Sequence, residues 1–193
     1  MPGHFLGEKM LNLYHASYVE IKEPDIHYGR KNADFGQGFY TSQDYSFVTK
    51  WVIPKKDASI YINHYVLDDS GLKIKRFTRD EEWFDYIYNN RRVKDILLDY
   101  DVIIGPIAND TIYDTLGMTT SGFLSKEEAM KLLMVGPCYD QTVIKSSAAS
   151  KALKWIKTDI LPDSEASKNI DFVKKEEQSY QEELARIMSE FDT

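Results

Sequence analysis

Two early stretches of the chain carry the hydrophobic patterns typical of β-strands. Residues 11–15 form a short apolar run, and residues 60–67 alternate in the two-residue period of a strand. Gly71 follows the second stretch, which predicts a turn that brings residues 72–77 back as a hairpin partner. The N-terminal half is therefore expected to contain at least one antiparallel pair of strands.

Three further stretches carry sequence signals of helices. Residues 80–92 place large apolar side chains three and four positions apart, and residues 45–52 show a shorter version of this pattern. Ser125 and Glu128 form an S-x-x-E capping box, which predicts the start of a third helix. That helix is expected to run as far as Leu133.

The second half of the chain adds short strands to these helices. Residues 102–104 and 141–145 are apolar enough for buried strands. Residues 148–153 predict a short helix, after which residues 154–156 are expected to close the sheet. Because strands and helices lack the regular alternation of a doubly wound sheet, the expected fold class is α+β.

The composition changes after Pro162, where the chain becomes strongly charged. The apolar residues beyond it are spaced for one face of a long helix. They are Phe172, Val173, Tyr180, Leu184, Ile187, Met188 and Phe191. We therefore divide the chain into an N-terminal extension (residues 1–10), a domain (residues 11–162) and a charged amphipathic helical tail (residues 163–193). The tail is expected either to fold back onto the domain or to dock a partner.

Composition and charge narrow the function classes. The 193 residues suffice for one domain with a real core, and a net charge of −7 makes a nucleic-acid backbone the weaker expectation as a standing partner, with a local basic patch left open. Cys138 is the single cysteine, which excludes an internal disulfide, and the four histidines lack metal-ligand spacing, so no metal is expected. Without a membrane-length apolar run or a signal-peptide pattern, a cytoplasmic protein is expected.

Three separated motifs are candidates for chemistry. His15 ends the first predicted strand, and Gln141 opens a late strand. Between them, Gly36-Gln37-Gly38-Phe39-Tyr40 offers two glycines that let a ligand approach the backbone, followed by an aromatic ring suited to stacking. This motif lacks the third glycine of a dinucleotide-binding fingerprint and follows a loop, which excludes a Rossmann site. Each motif alone also has an ordinary structural explanation.

Together, the motifs resemble the ADP-ribosyltransferase superfamily, in particular its diphtheria-toxin and poly(ADP-ribose) polymerase branch with the His–Tyr–Glu order. The sequence is also similar to a bacterial family with YHGS, DFGxGFYxT and DxxIGPxAxD motifs. Here these motifs read Tyr14-His15-Ala16-Ser17, Asp34 to Thr41, and Asp101 to Asp110. The resemblance covers roughly residues 11–157. It implies a split mixed β-sheet with surrounding helices.

The resemblance also implies an activity, mono-ADP-ribosyl transfer from NAD to a macromolecular acceptor with release of nicotinamide. His15 would hold a ribose hydroxyl, Tyr40 would stack on nicotinamide, and Gln141 would hold the nicotinamide-ribose hydroxyl. The residues implied in NAD binding are His15, Ala16, Ser17, Gly38, Phe39, Tyr40 and Thr41. Asn109 and Asp110 follow a predicted buried strand and either orient the acceptor or cap the next helix.

Gln141 stands where this branch carries a catalytic glutamate. An amide can hydrogen-bond a hydroxyl but cannot act as a base, so single ADP-ribose units rather than chains are expected. The alternative is a weakened module that binds NAD or ADP-ribose, or another protein, without turnover. A nuclease built on the Asp-rich segments ranks last. The acceptor, protein or nucleic acid, stays open, and a compact transferase of this type suggests a toxin whose tail meets an antitoxin or a second copy.

Overall fold

The computed structural model describes residues 10–92, 99–108 and 122–191. These residues contain seven strands and five helices. The strands are β1 (Met10–Ser17), β2 (Phe39–Thr41), β3 (Tyr61–Asp68), β4 (Ile74–Arg76), β5 (Val102–Pro106), β6 (Asp140–Ile144) and β7 (Leu153–Ile160). The helices are α1 (Tyr45–Val48), α2 (Glu81–Arg92), α3 (Lys126–Leu133), α4 (Ser147–Ala152) and α5 (Asp163–Phe191). This mixture agrees with the expected α+β class.

The strands form two sheets that meet at one edge of each. Sheet A has the order β1-β3-β7 and is antiparallel. Sheet B has the order β4-β5-β6-β2, in which β4 and β5 are parallel and the other pairs antiparallel. Tyr14 of β1 and Ser42, just after β2, exchange two backbone hydrogen bonds of 2.8 and 3.0 Å. This bridge places β1 beside β2.

Three buried clusters hold these layers together. Both sheets contribute to the first, with Leu13 from sheet A and Ile144 from sheet B as fully buried members. The second cluster lies on the other face of sheet B and includes Trp83 of α2. The third lies on the other face of sheet A and includes Val48 of α1 and Ala166 of α5. The apolar periodicity of each element therefore matches a layer that it covers.

The hairpin predicted after β3 is wrong. Gly71 turns the chain, with φ at +75°, but the following strand β4 pairs in parallel with β5 in sheet B. Both edges of β3 are already occupied, one by β1 and the other by β7. A turn signal is local, whereas β7 arrives from the far end of the domain and takes the position that a hairpin would have filled.

Element boundaries also differ from the predicted ones. Helix α1 spans four residues instead of eight, since Asp44 caps it and Thr49 already ends it. Strand β7 is longer than expected and continues to Ile160 along β3. The capping box at Ser125 and Glu128 is present, with both reciprocal hydrogen bonds.

Helix α5 begins at Asp163, where the tail was predicted to start, and packs on its own domain. Tyr180 is buried, and the Asn169 side-chain amide donates to the Thr49 carbonyl over 3.1 Å. Glu176 accepts a hydrogen bond of 2.6 Å from the Tyr139 hydroxyl. The tail thus folds back, while Phe172 keeps 46 % of its surface exposed.

Candidate functional site

The three candidate residues lie on three neighbouring strands. β1 carries His15, β2 carries Tyr40 and β6 carries Gln141. β2 pairs with β6 so that Tyr40 lies opposite Val143, and the bridge at Ser42 joins β2 to β1. Residues from the two ends of the domain therefore meet where the two sheets join.

His15 is tied to β2 through the backbone. Its Nδ1 lies 2.7 Å from the Tyr40 carbonyl oxygen. Because a carbonyl only accepts, Nδ1 carries the proton, and Nε2 of the neutral ring is left as an acceptor. Burial lowers the pKa of His15, and the bond to Tyr40 opposes this only partly, so the imidazole is neutral at pH 7.

The His15 ring lies in an aromatic corner that sequence reasoning missed. It is 4.7 Å from the Phe39 ring and 5.8 Å from the Trp51 ring, measured between centroids. Trp51 follows α1, whereas the helix predicted over residues 45–52 places it only on an apolar helix face. Its place beside the imidazole comes from the turn after α1, which no sequence pattern revealed.

Tyr40 uses its hydroxyl to hold the glycine turn that precedes it. The hydroxyl accepts from the Phe35 N–H over 3.0 Å and donates to the Gly36 carbonyl over 2.7 Å. Gly36 adopts φ of +71°, a backbone conformation that favours glycine. The ring packs against the second cluster and is half-buried, so one part of it stays accessible.

Gln141 lies on the same face of sheet B as Tyr40. Side chains alternate along β6, so Gln141 shares a face with Val143, which pairs with Tyr40. Its direct partner on β5 is Gly105, where the side chains of Phe77 and Phe35 fill the space of a missing Cβ at 3.0 and 3.1 Å. The Gln141 Oε1 atom is buried and has no hydrogen-bond partner among the described residues. An unpaired buried carbonyl costs roughly 1–3 kcal/mol, which a bound hydroxyl donor would offset.

His15 and the Tyr40 ring lie on opposite sides of β2. The imidazole contacts Phe39, which belongs to the cluster between the sheets, whereas the Tyr40 ring belongs to the cluster under α2. The structure therefore unites Tyr40 and Gln141 on one face. His15 is linked to this face by its hydrogen bond to the Tyr40 carbonyl in the β2 backbone.

The other residues predicted to bind NAD serve the fold with their side chains. Ala16 and Phe39 are buried, and the Thr41 hydroxyl donates to the Thr142 carbonyl over 2.6 Å. The Ser17 hydroxyl donates to the Val19 carbonyl over 2.5 Å. A Cβ on Gly38 would lie 2.7 Å from the Ile144 carbonyl oxygen, so this glycine is needed for strand packing. Asn109 and Asp110 lie outside the described residues.

Asn63 of β3 is a buried polar residue that the alternating pattern did not single out. Its side-chain oxygen accepts from the Ile21 N–H over 2.9 Å, and its amide lies within 3.4 Å of the His15 carbonyl. It therefore fixes the end of β1 and the chain that leaves it.

Within the described residues, no three histidine, cysteine or acidic side chains group as a metal site. Nor does any helix there combine the length and apolar character needed to cross a membrane.

Residues 11–155 match the family described as "Protein of unknown function (DUF3990)", and the chain belongs to this family. The match covers the strands that carry His15, Tyr40 and Gln141 and ends before α5. Comparison with curated proteins finds no match, and neither does comparison with solved structures.

Proposed function

We propose that the chain is a mono-ADP-ribosyltransferase that takes ADP-ribose from NAD and releases nicotinamide. The observation that carries this proposal is the adjacency of β1, β2 and β6 where two sheets meet. His15, Tyr40 and Gln141 occupy these strands in the chain order of the His–Tyr–Glu branch that the sequence resembles. The split arrangement of the sheets is compatible with the fold that this resemblance implies.

Two neutral acceptors make NAD a fitting substrate. His15 presents Nε2 as an acceptor, and Gln141 presents a buried carbonyl oxygen without a partner in the described chain. The two ribose rings of NAD supply hydroxyl donors that match such acceptors. In this assignment Gln141 holds the nicotinamide-ribose hydroxyl, His15 holds a ribose hydroxyl, and the accessible part of Tyr40 contacts the nicotinamide ring.

The chemistry asks little of these residues beyond positioning. Breaking the nicotinamide–ribose bond develops positive charge on the sugar, as in glycoside cleavage. Nicotinamide leaves as a neutral group, so acid catalysis is not needed. Gln141 fixes a hydroxyl of the nicotinamide ribose and neutral His15 fixes a ribose hydroxyl, so the protein contributes mainly through orientation. Because an amide cannot act as a base, we expect single transfers and no chains.

A binding module without turnover is the second candidate. It is favoured by one observation, the amide of Gln141 at the position of the branch's catalytic glutamate. Such a module would use the same acceptors to bind NAD or ADP-ribose. A toxin that is held inactive by an antitoxin belongs to the first proposal, and coexpression with neighbouring genes would test it.

The test uses NAD labelled separately in the nicotinamide and adenine rings, incubated with the full chain and cell extract. Transfer predicts released nicotinamide label and adenine label on a macromolecule. Gln141→Leu, which removes the carbonyl at similar volume, should lose both signals, and Tyr28→Phe on the exposed surface should keep them. Binding of NAD without release of nicotinamide would replace the transferase with the binding module. Absence of both binding and release would reject both functions.

A further inference from the structure

Lys145 follows directly on β6, and its side chain runs along the glycine turn. A Cβ built on Gly38 would lie 3.3 Å from Lys145 Cδ, and one built on Gly36 would lie 3.1 Å from Lys145 Nζ. The Lys145 ammonium donates a hydrogen bond to the Phe35 carbonyl. The lysine therefore contacts the turn at both glycines and at Phe35.

The turn that Lys145 contacts is also hydrogen-bonded to the Tyr40 hydroxyl. The Phe35 N–H donates to the Tyr40 hydroxyl, while the Phe35 carbonyl accepts from Lys145. The Tyr40 hydroxyl in turn donates to the Gly36 carbonyl. A displacement of the lysine head group would thus reach the tyrosine through a single residue. Gln141 lies in β6 and Lys145 directly follows it. The same strand therefore positions both side chains relative to Tyr40.

The Lys145 ammonium is largely buried, and burying a charged group costs free energy. Burial lowers its pKa to about 8, since the charged form loses hydration. Two acids next to this region in the described part of the chain have other partners. The Asp34 carboxylate accepts from the Ala108 N–H, and Asp101, whose backbone carbonyl accepts from the Lys145 N–H, has a carboxylate that accepts from the Ser146 hydroxyl. Helix α2 contributes another titratable residue, Tyr86, and burial raises the pKa of its hydroxyl.

We propose that Lys145 is a positioning residue of the candidate site, which holds the turn of residues 34–38 against Tyr40 and so orients the ring beside Gln141. What the oriented ring then does rests on the proposed function. The coupling between Lys145 and Tyr40 does not, because it is carried by contacts within the free chain. An apolar side chain of the same length fills the space but leaves the Phe35 carbonyl without its donor.

The test follows the Tyr40 ring by NMR in the full chain labelled with ¹³C-tyrosine. The Tyr40 resonance is assigned by its loss in Tyr40→Phe and is then followed from neutral pH to above pH 8. In the wild type it should shift with a midpoint of about 8, as Lys145 loses its proton. In Lys145→Met the shift should vanish. Lys145→Arg keeps its charge throughout, so its Tyr40 resonance should show no transition in this range.

A Tyr40 resonance that ignores pH in the wild type would overturn the proposal, as would one that titrates equally in Lys145→Arg. If Lys145→Met does not fold, the comparison of wild type with Lys145→Arg still decides. A parallel assay measures NAD turnover, where Lys145→Met should raise KM by about tenfold or more and Lys145→Arg should restore it. If Tyr40 responds but no variant handles NAD, the proposed function fails and the coupling stands. If NAD is turned over but the Tyr40 resonance does not change with pH, the coupling is rejected and the proposed function stands.

Discussion

Removal of one oxygen atom from Tyr40 gives a sharp test of how the glycine turn is held. In Tyr40→Phe the ring keeps its packing against the second cluster, but the Phe35 N–H and the Gly36 carbonyl both lose their partner. Each net hydrogen bond in a partly buried setting contributes about 1 kcal/mol, and a backbone group left unpaired costs somewhat more. We therefore expect the free energy of unfolding to fall by about 2–3 kcal/mol.

Urea unfolding followed by tryptophan fluorescence measures this loss, and an unchanged m-value keeps the comparison valid. Tyr28→Phe is the matched control, since Tyr28 is 92 % exposed and the same atom is removed. It should change the stability by less than about 0.5 kcal/mol. If Tyr40→Phe is as stable as this control, the hydroxyl does not hold the turn and the geometry assigned to this face is wrong.

Other variants test separate parts of the structure. Gln141→Leu removes a buried carbonyl that has no hydrogen-bond partner in the described part of the chain, so unfolding measurements should show equal stability or a gain of up to about 1–2 kcal/mol even though NAD binding is weakened. Lys145 has a folded pKa of about 8, below the 10.5 of the unfolded chain, so the unfolded state holds more protons in between. The stability of the wild type relative to Lys145→Met should therefore rise as pH increases through this interval, and a fall would contradict the shift. Helix α5 should resist trypsin in the dilute protein, and Tyr180→Ala, which removes its buried anchor, should expose Lys174 and Lys175 to rapid cleavage.

Local patterns predicted the elements of this fold well where the signal itself is local. The capping box at Ser125 is a contact between residues three apart, and the apolar stripe from residue 163 has a helical period. The pairing of strands was harder, because β3 takes both of its partners from β1 and β7 and none from the segment after Gly71. A sequence pattern identifies a strand but does not say which distant strand has room for it.

The candidate site shows the same division. The glycine turn, His15 and Gln141 could be selected as polar or flexible residues at strand ends. The sequence did not reveal that the Tyr40 hydroxyl is used by its own turn or that Trp51 lies beside the imidazole. Both depend on how β1, β2 and the turn after α1 come together. Lys145 could have been noticed, since alternation along β6 continues from Gln141 and Val143 to this position.

The measurement that most directly tests the proposed site is a calorimetric titration of the full chain with NAD. The site predicts saturable binding to the wild type and to Tyr28→Phe. Binding to Gln141→Leu should be weaker by about 1–3 kcal/mol, or roughly 5- to 150-fold in Kd. Equal affinity in Gln141→Leu would contradict the role given to the buried carbonyl. Absence of binding to the wild type would contradict the site as a whole.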